Sequence, residues 1–377
     1  MEEMHGTSAS GESARSEKAD ADLAGGVKAD GAYERVGTER SESAFGGSAF
    51  GGSARGAQGC LLDVRELSVV FESRKGSVFA VNKIDLRVGM GEIVCVVGES
   101  GCGKSVMMSA VLGLLDAPSA VISGSAAFDG RNLIGMPEKE LRGIRGRHIS
   151  MIFQEPMTCL NPVMRVGKQI AEVIRRHSRR SAREAASEAI RLLRLVGIPD
   201  AEERMRSYPH QLSGGMCQRV MIAIALACGP RLLFADEPTT ALDVTIQAQI
   251  LRLLRKIRDD LGTSILMVTH DLGVVAELAQ RVVVLYGGRV VEEGETRAIF
   301  KNPLHPYTQG LVACVPTLST TRDELRVIEG SVPEVDAFPT GCLFYPRCPR
   351  AEDRCGSVMP ASVSLGGGHC VSCVKYM

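Results

Sequence analysis

Eight consecutive residues carry the clearest chemistry in this chain: Gly98, Glu99, Ser100, Gly101, Cys102, Gly103, Lys104 and Ser105. They follow the apolar run Ile93–Val97, which reads as a buried strand, and precede residues 106–115, which read as a helix. Strand, glycine loop and helix together are the setting a phosphate-binding loop requires. The glycines let backbone N–H groups turn inward around a polyphosphate. A helix starting near Lys104 adds the partial positive charge of its N-terminus. Lys104 can reach the outer phosphates, and the Ser105 hydroxyl can ligate Mg2+.

Further chemistry stands at the ends of other apolar runs. Leu232, Leu233, Phe234 and Ala235 lead into Asp236-Glu237-Pro238. Two carboxylates at the carboxyl end of a parallel strand lie where α/β sheets bind ligands. Asp236 can hold a Mg2+ shell, and Glu237 can polarise an attacking water. A run at 264–268 ends in Thr269-His270-Asp271, which puts His270 at a second strand end beside the same expected site. A buried run at 149–153 ends in Gln154. Leu212-Ser213-Gly214-Gly215 opens an apolar helix and offers a second helix N-terminus to an anion. Phe79 is the candidate to stack on a purine ring, against the commoner reading of a strand Phe as core.

The elements that must position these residues show in the periodicity. Residues 61–64 and 67–71 read as strands, and 78–88 as a strand pair turning at Asn82-Lys83. Residues 121–133 read as a second pair turning at Asp129-Gly130, and Gly287-Gly288 marks a hairpin. Residues 166–177 and 182–196 have helical spacing, the second run stopped by Gly197-Ile198-Pro199. Lying between two β-rich blocks, they read as an inserted helical subdomain. Residues 246–261 read as an amphipathic helix. The basic cluster Arg142, Arg145, Arg147 and His148 reads as a solvated face.

Composition sets the bounds. The 377 residues are 45% hydrophobic, enough for one large domain with an appendage or for two domains. The 44 basic and 44 acidic residues balance, so nothing demands nucleic acid as a partner. No apolar run approaches the roughly 18–20 residues of a membrane span, and the polar N-terminus lacks a secretory pattern. A cytosolic chain able to dock onto a membrane protein is expected. Residues 1–59 are rich in Gly, Ala, Ser and charge, with Ser43-Ala44-Phe45-Gly46-Gly47 repeated at once, and read as a disordered extension.

Five of the twelve cysteines, Cys342, Cys348, Cys355, Cys370 and Cys373, crowd the last forty residues. Disulfides are not expected in a reducing compartment, so the cluster points to metal. Structural zinc favours tight C-x2-C pairs, which only Cys370 and Cys373 supply. The wider spacing suits a four-cysteine [4Fe–4S] centre, with zinc and no metal as the open alternatives.

Taken in order, the loop at 98–105, Gln154, Leu212-Ser213-Gly214-Gly215, Asp236-Glu237, the Asp243 loop and His270 resemble the nucleotide-binding subunit of an ABC transporter over residues 61–300. Residues 151–162, 208–216, 302–308 and 341–349 resemble its oligopeptide and dipeptide permease branch. The resemblance implies an α/β fold: a P-loop NTPase (RecA-like) core with an antiparallel β subdomain and an inserted α-helical subdomain at about 155–225. It divides the chain into 1–59, an ATPase domain at 60–300 and a cysteine-bearing C-terminal region at 301–377. It implies ATP and Mg2+ as ligands and two such subunits facing head to tail, with two different ATPase chains the usual pairing. Ser213, Gly214 and Gly215 then contact nucleotide held by the partner. Gln154 joins Mg2+ and the attacking water, Asp243 acts across the dimer, and His270 holds the γ-phosphate. Two membrane permease subunits and an extracytoplasmic solute-binding protein are the further partners, and the cytoplasmic face of the inner membrane is the place of work. Nickel or another small solute is the alternative cargo. The branch's cysteine pattern, with His369 before the last ligand, implies Cys342, Cys348, Cys355 and Cys373 as the cluster set and Cys370 as the substitute. Cys217 stands where the branch usually has Arg, and Glu155 where it commonly has Asp. ABC ATPases acting on nucleic acid carry tandem cassettes or long coiled coils, and neither shows here. Lys104, Asp236, Glu237 and His270 together argue against a catalytically dead partner.

Overall fold

The structure is a computed structural model and describes residues 59–73, 76–115, 120–240, 242–315, 327–333 and 338–377. The extension expected at 1–59 lies outside the described residues except for Gly59. The described chain begins with β1 (Cys60–Ser73) and β2 (Gly76–Gly89), then β3 (Ile93–Val97), α1 (Lys104–Val111), β4 (Ala120–Phe128) and β5 (Arg131–Asn132). Next come α2 (Glu138–Ile144), β6 (Ile149–Ile152), α3 (Pro156–Cys159), α4 (Val166–His177), α5 (Ala182–Leu195), α6 (Ala201–Arg204) and α7 (Gly214–Leu226). They are followed by β7 (Leu232–Asp236), α8 (Val244–Leu261), β8 (Ser264–Thr269), α9 (Leu272–Leu278), β9 (Arg281–Tyr286) and β10 (Arg289–Glu295). Last are α10 (Thr296–Lys301), α11 (Pro306–Ala313), β11 (Val363–Ser364) and β12 (Cys370–Val371).

Two sheets result. One is antiparallel, in the order β2-β1-β4-β5; the other runs β11-β12-β10-β9-β3-β8-β7-β6. Within the second, β6, β7, β8, β3 and β9 are mutually parallel neighbours. Alternate residues of β3 serve opposite faces. Ile93, Cys95 and Val97 join the core shared with α4, α5 and α7. Val94 and Val96 join the core under the antiparallel sheet and α1. Both faces being covered explains why these strands read as unbroken apolar runs.

The helical insertion is α3 to α7, between β6 and β7. Helix α5 opens with a capping box: Ser181 Oγ accepts from the Glu184 N–H at 3.3 Å, and Glu184 Oε2 accepts from the Ser181 N–H at 2.7 Å. The hairpin signals hold. Asp129 and Gly130 both have positive φ, 51° and 79°, as do Gly287 and Gly288, which suits two-residue hairpin turns.

Four expectations are corrected. The strand pair expected at 78–88 is a single strand. Lys83 takes φ 50° and donates its N–H to Ser68 Oγ at 2.9 Å, so the extra residue is absorbed as a bulge instead of a turn. Residues 61–71 likewise form one strand. Glu66, at φ 46°, donates its N–H to Asp85 Oδ1 at 2.8 Å. The run at 149–153 stops at Ile152, leaving Phe153 exposed. Arg145 does not belong to a solvated face. Its guanidinium donates to the carbonyls of Leu112 at 2.6 Å and Gly113 at 2.7 Å, just past the end of α1. It thereby satisfies carbonyls that a helix terminus leaves open and brings positive charge to its negative end.

The C-terminal region is not a separate appendage. Strand β12 pairs with β10, with Glu292 opposite Val371, and extends the central sheet. No helix among the described residues is long and apolar enough to cross a membrane.

Candidate nucleotide site

Four neighbouring parallel strands deliver the candidate residues from their carboxyl ends. The phosphate loop follows β3, His270 follows β8, Asp236 and Glu237 end β7, and Gln154 follows β6. Residues as far apart in sequence as Ser105 and Asp236, 131 positions, therefore meet at one edge.

The loop's shape is set by close approach. Gly98 has φ 159°, and a Cβ there would lie 2.3 Å from the Leu285 carbonyl oxygen. Gly103 has φ 94°, and a Cβ there would lie 2.0 Å from the Ala80 carbonyl oxygen. Only glycine fits either position. Lys104 is buried, and its ammonium donates to the carbonyls of Gly98 at 2.8 Å and Glu99 at 2.9 Å. Ser100, Gly101 and Ser105 are exposed at the mouth of the loop. Cys102 is buried beneath it, its thiol pushed up by burial, so it packs instead of reacting.

Ser105 Oγ donates to Asp236 Oδ1 at 2.8 Å. Burial first, then the neighbouring Glu237 charge, pushes the Asp236 carboxyl above its usual range, against the Ser105 hydrogen bond. A hydroxyl and a carboxylate so placed are the hard oxygen donors that Mg2+ takes, and a divalent cation offsets the cost of burying Asp236. The residues fit that ion.

Glu237 occupies the centre. Its Oε1 meets His270 Nδ1 at 2.9 Å. Its Oε2 accepts from Gln154 Nε2 at 3.0 Å and from Thr240 Oγ1 at 2.9 Å. Burial works to raise its pKa, but the hydrogen bonds from His270 and Thr240 outweigh it and hold the carboxyl below its usual range. The backbone is strained here: Glu237 has φ 45°, a left-handed conformation that costs a non-glycine residue of order 1–3 kcal/mol. Its N–H is anchored to the Val268 carbonyl at 2.9 Å, which ties β7 to β8. Thr240, which donates to Glu237, was not among the residues the sequence singled out. Its only signal was a hydroxyl three residues past Glu237.

The remaining candidates lie elsewhere. Ser213 caps α7, its Oγ accepting from the Met216 N–H at 3.3 Å. Ser213 and Gly214 are exposed; Gly215 is half-buried, and a Cβ there would press on Ile246 at 2.9 Å. Asp243 is exposed and caps α8 by accepting from the Ile246 N–H at 2.9 Å. Phe79 on β2 is 46% exposed, which overturns its reading as core; the next residue, Ala80, abuts the phosphate loop. Cys217 is buried, its Sγ 3.4 Å from the Pro209 carbonyl, so no charged residue occupies that place.

In the C-terminal region, Cys342, Cys348, Cys355 and Cys373 line one cavity of about 150 Å3. Burial first, then the facing Cys373, Cys348 and Cys355, pushes the Cys342 thiol up to about 11. Burial first raises Cys348 and Cys373 as well, helped by Cys373 and Cys355 at Cys348 and by Cys355 and Glu352 at Cys373. Cys370 is not among the lining residues; it sits on β12, opposite Glu293.

Comparison with known proteins agrees with this geometry. Residues 81–240 match the ABC transporter family, and residues 291–355 match the oligopeptide/dipeptide transporter C-terminal region. The oligopeptide transport ATP-binding protein AppD of Bacillus subtilis is 48% identical over 84% of this chain and 97% of its own length. The oligopeptide transport ATP-binding protein OppD of Salmonella typhimurium is 48% identical over 84% of this chain and 93% of its own length. Among solved structures, a dimeric post-hydrolysis state of an ATP-binding cassette bound to ADP and Pi superposes with a TM-score of 0.57 at 28% identity. It covers 63% of this chain and 99% of that one. With the loop, the carboxylate pair and the C-terminal region all in place, the chain belongs to the ATP-binding subunits of ABC transporters, in their oligopeptide and dipeptide branch.

Proposed function

We propose that this chain hydrolyses ATP to drive import of oligopeptides or dipeptides through a membrane permease. The observation that carries the ATPase reading is the meeting of Ser105, Asp236, Glu237, Gln154 and His270 at the ends of four adjacent strands. Lys104 leaves its loop carbonyls to hold the outer phosphates. Ser105 and Asp236, with Gln154 beside them, hold Mg2+, which neutralises phosphate charge. Glu237, kept ionised, orients a water and takes its proton, while His270 holds the γ-phosphate. Phe79 is the proposed adenine contact.

Ser213, Gly214 and Gly215 at the N-terminus of α7 face a second ATPase subunit and complete its site. Asp243 stands at the same dimer face. Two permease subunits and a solute-binding protein complete the complex, so the chain works as a peripheral protein at the cytoplasmic face. A heterodimer of ATPase chains is the proposed arrangement. The cargo reading rests on the match of residues 291–355 and on relatives named for oligopeptides and dipeptides, not nickel. Cells lacking this chain are expected to lose uptake of a labelled tripeptide at least tenfold and regain it with the wild-type chain. Intact peptide uptake beside lost nickel uptake overturns the cargo reading.

The four thiols around one cavity fit a [4Fe–4S] centre held by Cys342, Cys348, Cys355 and Cys373. Among the described residues, no three or more His, Cys, Asp or Glu side chains stand in position to hold a single metal ion. Protein purified without oxygen is expected to carry about four irons and four sulfides. The cluster should be lost in Cys348→Ser and kept in Cys370→Ser. One zinc, or no metal, overturns the cluster assignment and leaves the ATPase reading untouched.

A further inference from the structure

Glu99 puts an acidic side chain on the loop read as the polyphosphate site. Its carboxylate is paired from the far end of the chain. Arg347 Nη1 donates to Glu99 Oε1 at 3.1 Å and Oε2 at 3.0 Å. The Arg347 side chain is only 6% exposed. It is held by the carbonyls of Glu329 at 3.0 Å and Gly330 at 3.1 Å, and by Tyr286 Oη at 3.4 Å. Its guanidinium stands over the rings of Tyr286 and Phe344, 5.8 Å and 5.9 Å from their centres.

Two further contacts fix the same residue. The Glu99 N–H donates to Tyr307 Oη at 2.9 Å, and Tyr307 lies in the first turn of α11. The Glu99 carbonyl accepts from Lys104, the ammonium that must reach phosphate. The N–H, carbonyl and carboxylate of this one loop residue are thus all engaged, two of them by the C-terminal region. Arg347 itself precedes Cys348, one of the thiols lining the cysteine cavity.

An unpaired carboxylate here would oppose the nucleotide's negative charge through a partly buried, weakly screened site. We propose that Arg347 is a positioning residue for nucleotide: by neutralising and holding Glu99 it sets the affinity of the phosphate loop, and so places ATP binding under the control of the C-terminal region. This rests on the reading of residues 98–105 as the ATP site.

The test is MgATP affinity measured by calorimetry on the full chain. Arg347→Ala is expected to weaken binding about threefold to tenfold, with the deficit shrinking at high salt. Adding Glu99→Gln to it is expected to restore binding to within about twofold of wild type, because the opposing charge is gone. Glu99→Gln alone, which leaves Arg347 in place, is expected to tighten binding. Unchanged affinity in Arg347→Ala overturns the proposal, and so does an equal loss in the double variant, which marks a merely structural role. If Arg347→Ala does not fold, the single Glu99→Gln decides: affinity equal to or weaker than wild type overturns it. Absence of binding by the wild-type chain, by contrast, refutes the ATP site itself.

Discussion

Glu237→Gln lowers ATP turnover by about a hundred- to ten-thousandfold while MgATP binding stays equal or becomes tighter. The substitution keeps the side chain's shape and its capacity to accept from Thr240, but removes the charge that abstracts a proton. That charge is present at neutral pH, because the hydrogen bonds from His270 and Thr240 hold the Glu237 carboxyl below its usual range against the effect of burial. Gln154, Thr240 and His270 fix the carboxylate's direction within 3.0 Å. The strained φ of Glu237 aims it out of the end of β7. Binding is spared because the phosphates are held by the loop and by Lys104, and removing a negative group beside them lessens repulsion. Steady-state hydrolysis in the assembled transporter and equilibrium binding of MgATP separate the two effects. Hydrolysis at the wild-type rate removes Glu237 from the role of general base.

Lys104→Ala acts at the earlier step and weakens MgATP binding by about thirty- to three-hundredfold. In the role proposed for it, the ammonium would make charge-assisted hydrogen bonds to the outer phosphates that a methyl group cannot replace. Its present partners, the carbonyls of Gly98 and Glu99, show that the charge is already inside the loop. Alanine also takes the Lys104 donor from the Gly98 carbonyl and leaves the Glu99 carbonyl with only the Cys102 N–H at 3.4 Å, so the loop itself loosens. Binding by the full chain, measured by calorimetry, decides; wild-type affinity contradicts the assignment of 98–105 as the phosphate loop.

Much of the site was legible because its signals are local. Continuous apolar runs followed by Gly98, Asp236 and His270 marked strands covered on both faces and their ligand-bearing ends. The hairpins at Asp129-Gly130 and Gly287-Gly288 followed from residues that tolerate positive φ. Asn82-Lys83 used the same vocabulary and misled. There the left-handed Lys83 relieves a register mismatch against β1, a condition set by the partner strand and absent from the local sequence. Arg145 misled for a related reason, since its worth lies in carbonyls at the end of a helix that precedes it by some thirty residues.

The sequence by itself determined the chemistry of this protein: which residues can hold phosphate, Mg2+ and water, and in what order along the chain they come. Strand period, glycine conformation and helix spacing are short-range properties, readable within a dozen residues. Only the tertiary structure decided which distant groups meet. Glu99 and Arg347 are separated by 248 positions, and Glu237 and Gln154 by 83. It also gathered four cysteines around one cavity and left Cys370 on a strand, and it built the C-terminal region into the central sheet. Such pairings are fixed by packing and sheet register, which depend on the whole core forming at once and leave no periodic trace in either partner.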